Sequence, residues 1–165
     1  MSQKPLISVI IPTRNRKQKL IRLIKSIEKS NYSLEKIEII VVDDASTDGT
    51  FNMPVKKFPN VKIVRNNKRR MTAGARNVGI KNARGEYLFF VDDDYIIDKN
   101  VLSELMDVME TEKVCAAGPV IYYYTDPERI WYAGGRLKKP LYITSFSFQG
   151  KKCEEVRITQ SRVIE

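Results

Sequence analysis

The stretch that decides the fold is Glu86-Tyr87-Leu88-Phe89-Phe90-Val91-Asp92-Asp93-Asp94. Its five consecutive apolar or aromatic residues, 87–91, predict a strand that is buried on both faces. Three carboxylates follow directly, and they cannot all stay ionised in apolar surroundings. The strand must therefore open into a solvent-filled crevice, as the carboxyl ends of strands do in open α/β sheets. Three acids there favour a hard divalent cation with oxygen ligands, because a plain helix cap needs only one of them.

The composition is that of a folded domain with a surplus of positive charge. The chain has 165 residues, of which 42% are hydrophobic and 30% are charged, and its net charge is +9. Such a composition excludes a disordered protein, and no run approaches the ~20 apolar residues of a membrane span. The charge indicates an anionic partner, namely a nucleoside diphosphate, an anionic membrane surface or nucleic acid.

The chain contains no histidine, which removes histidine bases, histidine metal ligands and serine–histidine triads from the available chemistry. Cys115 and Cys153 lack metal-site spacing, and we expect both thiols to be reduced. The start of the chain, 1–5, shows no signal-peptide pattern. These features favour a cytoplasmic location, and the positive charge leaves peripheral contact with a membrane open.

The apolar periodicity predicts alternating strands and helices, which is the pattern of a parallel sheet. Strands are predicted at 6–11, 37–42, 61–64 and 87–91, and helices at 17–29, at 72–83 and from Asp98 or Asn100 onward. Pro12 is expected to end the first strand. The small residues of 72–83 would let that helix approach either the sheet or a ligand. Residues 115–124 predict a strand interrupted by Gly118-Pro119, and 141–148 alternate like a strand.

Three polar loops follow predicted strands, so they should meet at one edge of the sheet. They are Thr13-Arg14-Asn15, Asp43-Asp44 and Asp92-Asp93-Asp94. Each alone is a weak signal, since receiver domains also carry an Asp-Asp pair that holds magnesium. The ordered set is more specific: strand-Pro-Thr-x-Asn, strand-Asp-Asp-x-Ser-x-Asp-Gly-Thr, Ala-Arg-Asn-x-Gly and strand-Asp-Asp-Asp.

With these motifs, residues 7–100 resemble the family 2 glycosyltransferases. The resemblance implies the GT-A fold, a Rossmann-like α/β/α sandwich with a mostly parallel central sheet that binds a nucleoside diphosphate sugar. It implies inverting transfer, most often from a UDP-sugar, to a glycan, lipid-linked or protein acceptor, with Mg²⁺ or Mn²⁺ as cofactor. We therefore interpret 1–165 as a single such domain, with a nucleotide- and metal-binding core at 1–113 and the start of an acceptor-side region at 114–165.

The resemblance also implies roles for individual residues. Contact with the nucleotide sugar is implied for Pro12, Thr13, Arg14, Asn15, Asp43, Asp44, Arg76, Asp92 and Asp93. Within this set, Asp44 would accept hydrogen bonds from the base. Metal binding is implied for Asp94, together with Asp92. The basic run Lys68-Arg69-Arg70 would either contact phosphate or form a solvated turn.

The chain after Asp94 departs from the family pattern. Inverting members need a later aspartate or glutamate as general base. We assign that role to no residue, because Asp126 stands in a predicted turn and Glu154-Glu155 lacks a family-like context. Since 163–165 resembles an interrupted strand, we expect the donor-binding part of a longer transferase. A naturally short protein with weak or no activity is the alternative.

Other function classes make different predictions. A nucleotide-sugar-binding module without catalysis would bind the donor but neither transfer nor hydrolyse it. A sugar-phosphate nucleotidyltransferase is disfavoured because 12–15 contain no glycine, and a dinucleotide dehydrogenase because no Gly-x-Gly-x-x-Gly follows the first strand. Nucleic-acid binding is not expected; it would weaken steeply with salt and would not depend on Asp94.

Overall fold

The computed structural model describes residues 4–53, 57–112, 114–138 and 143–156. Contacts between Cα atoms divide the chain into two compact units, Met1–Leu102 and Ser103–Glu165, here called the sheet unit and the hairpin unit. The functional division at residue 113 stays a prediction.

The sheet unit contains a four-stranded parallel sheet in the order β3-β2-β1-β4. Its elements are β1 (Ile7–Thr13), α1 (Lys17–Ile27), β2 (Ile37–Asp43), β3 (Val61–Arg65), α2 (Met71–Asn82) and β4 (Tyr87–Phe90). The inner strands β1 and β2 are buried almost throughout, which explains their near-continuous apolar sequences. The predicted α/β fold with a mostly parallel sheet is confirmed.

Two helices pack on this sheet through different kinds of residue. The apolar stripe of α1, which includes Leu20 and Ile24, is buried as predicted. Helix α2 uses small residues instead: a Cβ on Gly79 would lie 2.4 Å from Cγ2 of Ile10 in β1. Ala75 is fully buried against β2. The small residues of α2 therefore serve close approach to the sheet.

The prediction that 87–91 are buried on both faces was wrong. Leu88 and Phe90 are 39% and 42% exposed, whereas Val91 is buried. The reason is the position of β4, which is an outer strand of the four-stranded sheet and, among the described strands, pairs with β1 alone. An apolar run therefore indicated a strand without indicating its place in the sheet.

The prediction that Pro12 ends the first strand was also wrong, because β1 continues through Pro12 to Thr13. The β1–β4 ladder has its last pair at Ile10 and Phe90, and the main-chain N–H of Val91 still donates to the carbonyl of Ile10. Pro12 lies beyond this point, where its missing N–H removes no β1–β4 bond. The β1–β2 pairing meanwhile extends to Thr13 and Asp43.

In the hairpin unit, the described residues form one helix, two short antiparallel hairpins and a 3-10 turn at Cys153–Glu155. Helix α3 (Val101–Glu112) begins at the boundary between the units and matches the predicted helix. The hairpins are β5 (Ile121–Tyr123) with β6 (Asp126–Tyr132), and β7 (Gly135–Lys138) with β8 (Ile143–Phe146). Of the predicted strand at 115–124, interrupted by Gly118-Pro119, the part after the interruption forms β5, whereas the part before it was wrong because 115–117 lie outside any strand.

The remaining predictions for this unit have mixed outcomes. The alternating segment 141–148 contains β8, whereas 141 and 142 lie outside the described residues, as does 163–165. Asp126 begins β6 instead of lying in a turn, and it forms an ion pair of 3.0 Å with Arg129. Cys115 and Cys153 are exposed and unbridged. Across the described ranges, no helix combines the length and the apolarity needed to cross a bilayer.

Candidate donor-binding site

The candidate site lies at the carboxyl ends of β1, β2 and β4. Two loops supply its acids: the first acid loop, 43–50, starts at the last residue of β2, and the second acid loop, 92–94, follows β4. Between them lies a cavity of about 400 Å³, a volume typical of small-ligand sites. The predicted residues on its wall are Pro12, Thr13, Arg14, Asn15, Asp44, Asp92, Asp93 and Asp94. Topology thus brings together side chains that are up to 82 positions apart, because parallel strands end at one edge.

Asp43 is absent from the cavity wall. It is fully buried at the end of β2, and its Oδ1 accepts a hydrogen bond of 3.1 Å from the main-chain N–H of Ser46. Its Oδ2 has no hydrogen-bond partner among the described residues, and Nε of Arg65 lies 3.7 Å from it. Ala45, between these residues, adopts a left-handed φ of 60°. Asp43 therefore stabilises the turn of the first acid loop from its buried side.

Asp44 does reach the cavity, and it also holds the start of α2. Its Oδ1 accepts hydrogen bonds of 2.8 Å from Nδ2 of Asn66 and from the main-chain N–H of Arg70. Its Oδ2 accepts a third, of 2.9 Å, from the N–H of Met71, the first residue of α2. These N–H groups have no partner within the helix, so Asp44 caps α2 from a distant part of the chain. Two carboxylate oxygens offer about four acceptor positions, which leaves one on Oδ2.

Asn15 fastens the loop after β1 to the first acid loop. It has a φ of 53°; its main-chain N–H donates to Oγ of Ser46 at 3.0 Å, and its Oδ1 accepts from the N–H of Thr47 at 2.7 Å. Asp48 adds a second connection by accepting from the N–H of Lys17. The hydroxyl of Thr50 donates to Asp48 and holds the pKa of that carboxyl below its usual 3.8, against the opposing effect of burial.

The second acid loop is held mostly by cations. Asp93 is buried, with Oδ2 accepting from Oγ1 of Thr13 at 2.7 Å and Oδ1 lying 3.1 Å from Nη1 of Arg16. The same Nη1 lies 3.1 Å from Oδ2 of Asp94, and Nζ of Lys19 lies 3.9 Å from that oxygen. The hydrogen bond to Asp93 is the largest of the effects that raise the pKa of Arg16. Arg16 thus bridges one buried and one exposed carboxylate.

Arg76 is absent from the cavity wall but contacts the second acid loop. Its Nη2 lies 2.8 Å from Oδ1 of Asp92, while its Nε is buried and finds no hydrogen-bond partner in the part of the chain that the structure describes. The structure therefore places Arg76 behind Asp92, where it orients a carboxylate that lines the cavity. Burial raises the pKa of the neighbouring Tyr95, and the charges of Asp92 and Asp94 raise it further.

Four wall residues were not predicted as site residues: Arg16, Met71, Thr72 and Ala75. A fifth, Arg69, belongs to the basic run for which phosphate contact was one of two alternatives. Their signal was present in the predicted topology. A helix that follows a parallel strand begins at the carboxyl edge of the sheet, so the residues at the starts of α1 and α2 must lie there. Of the run 68–70, only Arg69 lines the cavity.

The oxygen ligands that face the cavity are few. In the described part of the chain no three His, Cys, Asp or Glu side chains converge as a metal site would require. Asp92 and Asp94, which are 44% and 40% exposed, are the second acid loop's carboxylates that remain accessible on the wall. The protein thus offers one or two carboxylates, a number that Mg²⁺ commonly completes with substrate phosphates and water.

Comparison with known proteins agrees with this geometry. The family profile described as "Glycosyl transferase family 2" matches residues 8–159. Poly(ribitol-phosphate) beta-N-acetylglucosaminyltransferase TarS of Staphylococcus aureus is 36% identical over 101 residues, which is 59% of this chain and 18% of TarS. The UDP-Glc:alpha-D-GlcNAc-diphosphoundecaprenol beta-1,3-glucosyltransferase WfaP of Escherichia coli is 38% identical over 112 residues, 66% of this chain and 43% of WfaP. The chain therefore spans less than half the length of these relatives.

Solved structures show the same similarity in three dimensions. The structure of S. aureus TarS 1–349 in complex with UDP-GlcNAc aligns with a TM-score of 0.61 and 29% identity, covering 74% of this chain and 40% of that one. The mannosyltransferase PcManGT of Pyrobaculum calidifontis, in complex with GDP-Man and Mn²⁺, aligns with a TM-score of 0.59 and 26% identity, covering 73% and 35%.

Proposed function

Because the chain belongs to glycosyl transferase family 2, we propose that it is the donor-binding part of an inverting glycosyltransferase. The donor is a nucleoside diphosphate sugar, with UDP as the proposed nucleotide, and the acceptor is a glycan or a lipid-linked sugar. The observation that carries the proposal is the cavity at the carboxyl edge, with Asp44 on one side and the second acid loop on the other. The proposed location is the cytoplasm.

The hydrogen-bond state of Asp44 supports a particular class of base. Asp44 lines the cavity and has one acceptor position left, so a ligand beside it can be held through a hydrogen-bond donor such as the N–H of a base. Uracil, thymine and guanine can each offer a ring N–H at this position, whereas cytosine can offer only its exocyclic amino group; the base proposed here is one with a ring N–H. The relatives agree with this choice, since the TarS complex contains UDP-GlcNAc and the PcManGT complex contains GDP-Man.

The residues present fit a divalent metal whose remaining ligands come from the donor. Asp94, with Asp92, would hold Mg²⁺ or Mn²⁺, since both present accessible carboxylate oxygens to the cavity. When bound, such a metal supplies Lewis-acid stabilisation of the charge that develops on the departing diphosphate. Asp93 has a different task, because its bonds to Thr13 and Arg16 fix the loop that carries its neighbours.

Cationic side chains of the protein can also stabilise the negative charge on the departing diphosphate. Arg14, Arg16 and Arg69 all line the cavity, and the guanidinium groups are permanent donors that suit phosphate oxygens. As the bond between the sugar and the diphosphate breaks, negative charge grows on the leaving group. Preplaced positive groups lower the barrier because they need little reorganisation at that moment.

The first experiment is a calorimetric titration of UDP, GDP, dTDP and CDP, with and without Mn²⁺. We expect one nucleotide other than CDP to bind in a metal-dependent manner, and we expect Asp94→Asn to weaken it at least about tenfold through the loss of a metal ligand. Glu86→Gln is the matched control, since it removes one negative charge at the opposite end of β4.

The outcomes separate the competing functions. Equal binding by Asp94→Asn and Glu86→Gln, or no binding of any nucleotide, would contradict the donor-site proposal. If UDP-sugars bind but are neither transferred nor hydrolysed, even by the longest natural form of the chain, the result would favour a binding module over an enzyme.

A further inference from the structure

The cation that faces the second acid loop belongs to the protein itself. Nη1 of Arg16 lies 3.1 Å from Oδ1 of Asp93 and 3.1 Å from Oδ2 of Asp94, so one guanidinium bridges two carboxylates. Nζ of Lys19 stands 3.9 Å from the same oxygen of Asp94. A bare divalent ion that approaches Asp94 must therefore enter a position next to two positive charges.

The protein's own charges balance in this cluster. Three negative charges come from the second acid loop, and three positive charges at ion-pair distance come from Arg16, Lys19 and Arg76. A bare metal ion thus finds no net negative charge to attract it. A metal ion that arrives with a diphosphate brings its own negative charge, which the same cations attract.

Arg16 can leave its position without unfolding its surroundings. Its side chain is 49% exposed, and it makes no capping bond to α1. The main chain ahead of it is fixed independently, because Asn15 is bonded to Ser46 and Thr47 of the first acid loop. Only the guanidinium needs to move, and such a rotamer change is fast and inexpensive at an exposed site.

We propose that Arg16 is an internal counter-cation, which excludes the bare metal ion from the second acid loop and yields its place to a metal–nucleotide complex. The inference rests on the proposed function, because the metal and the diphosphate are the ligands that this function assumes. Arg16 is a positioning residue in this scheme, since it makes the two ligands bind together. Metal affinity and nucleotide affinity are then coupled, and the coupling is reciprocal.

A purely structural role for Arg16 predicts the opposite result. If the guanidinium only ties the start of α1 to Asp93 and Asp94, its removal loosens the second acid loop. A looser loop holds its carboxylates less well, so metal affinity falls or stays the same. An increase in affinity for the bare ion is the result that distinguishes a competing cation.

The test titrates Mn²⁺ into the whole chain, with and without UDP, and follows the unbound ion by electron paramagnetic resonance. Arg16→Gln removes the bridging charge, and Lys25→Gln removes one exposed charge from the last turn of the same helix. Without UDP, we expect Arg16→Gln to bind Mn²⁺ about tenfold more tightly than wild type, because the ion then neither displaces a guanidinium from both Asp93 and Asp94 nor meets its positive charge. Lys25→Gln should match wild type.

Two further results must accompany this gain. The tighter binding of Mn²⁺ without UDP should vanish in the double variant Arg16→Gln/Asp94→Asn. The factor by which UDP raises Mn²⁺ affinity should be about tenfold smaller in Arg16→Gln than in wild type. If Arg16→Gln binds Mn²⁺ no more tightly than Lys25→Gln, the inference is overturned.

The design separates failure of this inference from failure of the proposed function. Binding of UDP with Mn²⁺ to wild type tests the proposed function, whereas the comparison of Mn²⁺ alone tests Arg16. Circular dichroism establishes that Arg16→Gln is folded. Should that variant not fold, Arg16→Lys replaces it, because lysine keeps the charge but carries it on a shorter side chain with a more strongly hydrated ammonium, which competes less well for the two carboxylates. We then expect an approximately threefold gain in affinity for Mn²⁺ without UDP. The absence of any gain in this affinity would overturn the inference.

Discussion

The two acid loops lie at the same edge of one sheet, yet they satisfy their carboxylates by different means. In the first, Asp44 accepts bonds from the main-chain N–H groups of Arg70 and Met71, which the fold holds in place. In the second, Asp94 faces the long, half-exposed side chain of Arg16. A main-chain donor cannot be exchanged for another partner, whereas a mobile guanidinium can. The first loop is therefore built as a scaffold and the second as a place where cations can be exchanged.

The largest expected difference between the loops concerns stability. Asp44→Ala leaves two helix N–H groups and the amide of Asn66 without their partner, so we expect a loss of about 3 kcal/mol. Asp94→Ala removes only ion pairs with exposed side chains and should cost less than about 1 kcal/mol. Urea-induced unfolding of both variants measures the two values. Equal losses would remove the distinction between scaffold and exchangeable loop.

Ionic strength provides a second comparison. A double-mutant cycle between Arg16 and Asp94 should give a coupling energy of about 0.5 kcal/mol in dilute buffer, falling towards zero in 1 M NaCl because salt screens exposed pairs. The cost of Asp44→Ala should change little over the same range, since its partners are neutral N–H groups. A coupling energy that does not depend on salt would show that Arg16 and Asp94 are shielded from solvent.

The smallest expected effect concerns pH and the first acid loop. The pKa of Asp48 is lowered on folding, so its ionised form stabilises the protein above its usual value of 3.8. This contribution is lost as the pH falls through the still lower folded-state value. Asp48→Asn should cost a few tenths of a kcal/mol at pH 6, a figure kept small by solvent screening, and nothing near pH 2. Stability curves of both proteins from pH 2 to 7 test this; a constant difference would contradict it.

The strands and helices that position the site could be predicted from local pattern. Local sequence alone predicts the apolar strands β1 and β2. It also predicts the buried stripe of α1, which includes Leu20 and Ile24. The exposure of Leu88 and Phe90 could not be predicted in this way. It depends on which strands flank β4, and strand order is a property of the whole sheet.

Within the site, residue type was predictable but side-chain direction was not. Asp43 and Asp44 are identical neighbours, yet one is buried beneath the loop and the other lines the cavity. The difference arises from the left-handed turn at Ala45 and from the position of α2, neither of which the motif encodes. Arg16 was missed for a related reason: its partners are 77 and 78 positions away, so no local pattern marks it.

The hydrogen bonds between Asp44 and the start of α2 allow occupancy of the cavity to be followed by amide hydrogen exchange. The amide hydrogens of Arg70 and Met71 are bonded to a carboxylate that also forms part of the cavity wall. Each amide hydrogen can exchange with deuterated solvent only when its hydrogen bond to Asp44 opens. The exchange rates therefore measure the stability of these hydrogen bonds. A base that occupies the last acceptor position of Asp44 would change those rates. Occupancy of the cavity can thus be monitored at two backbone positions, without any label on the ligand.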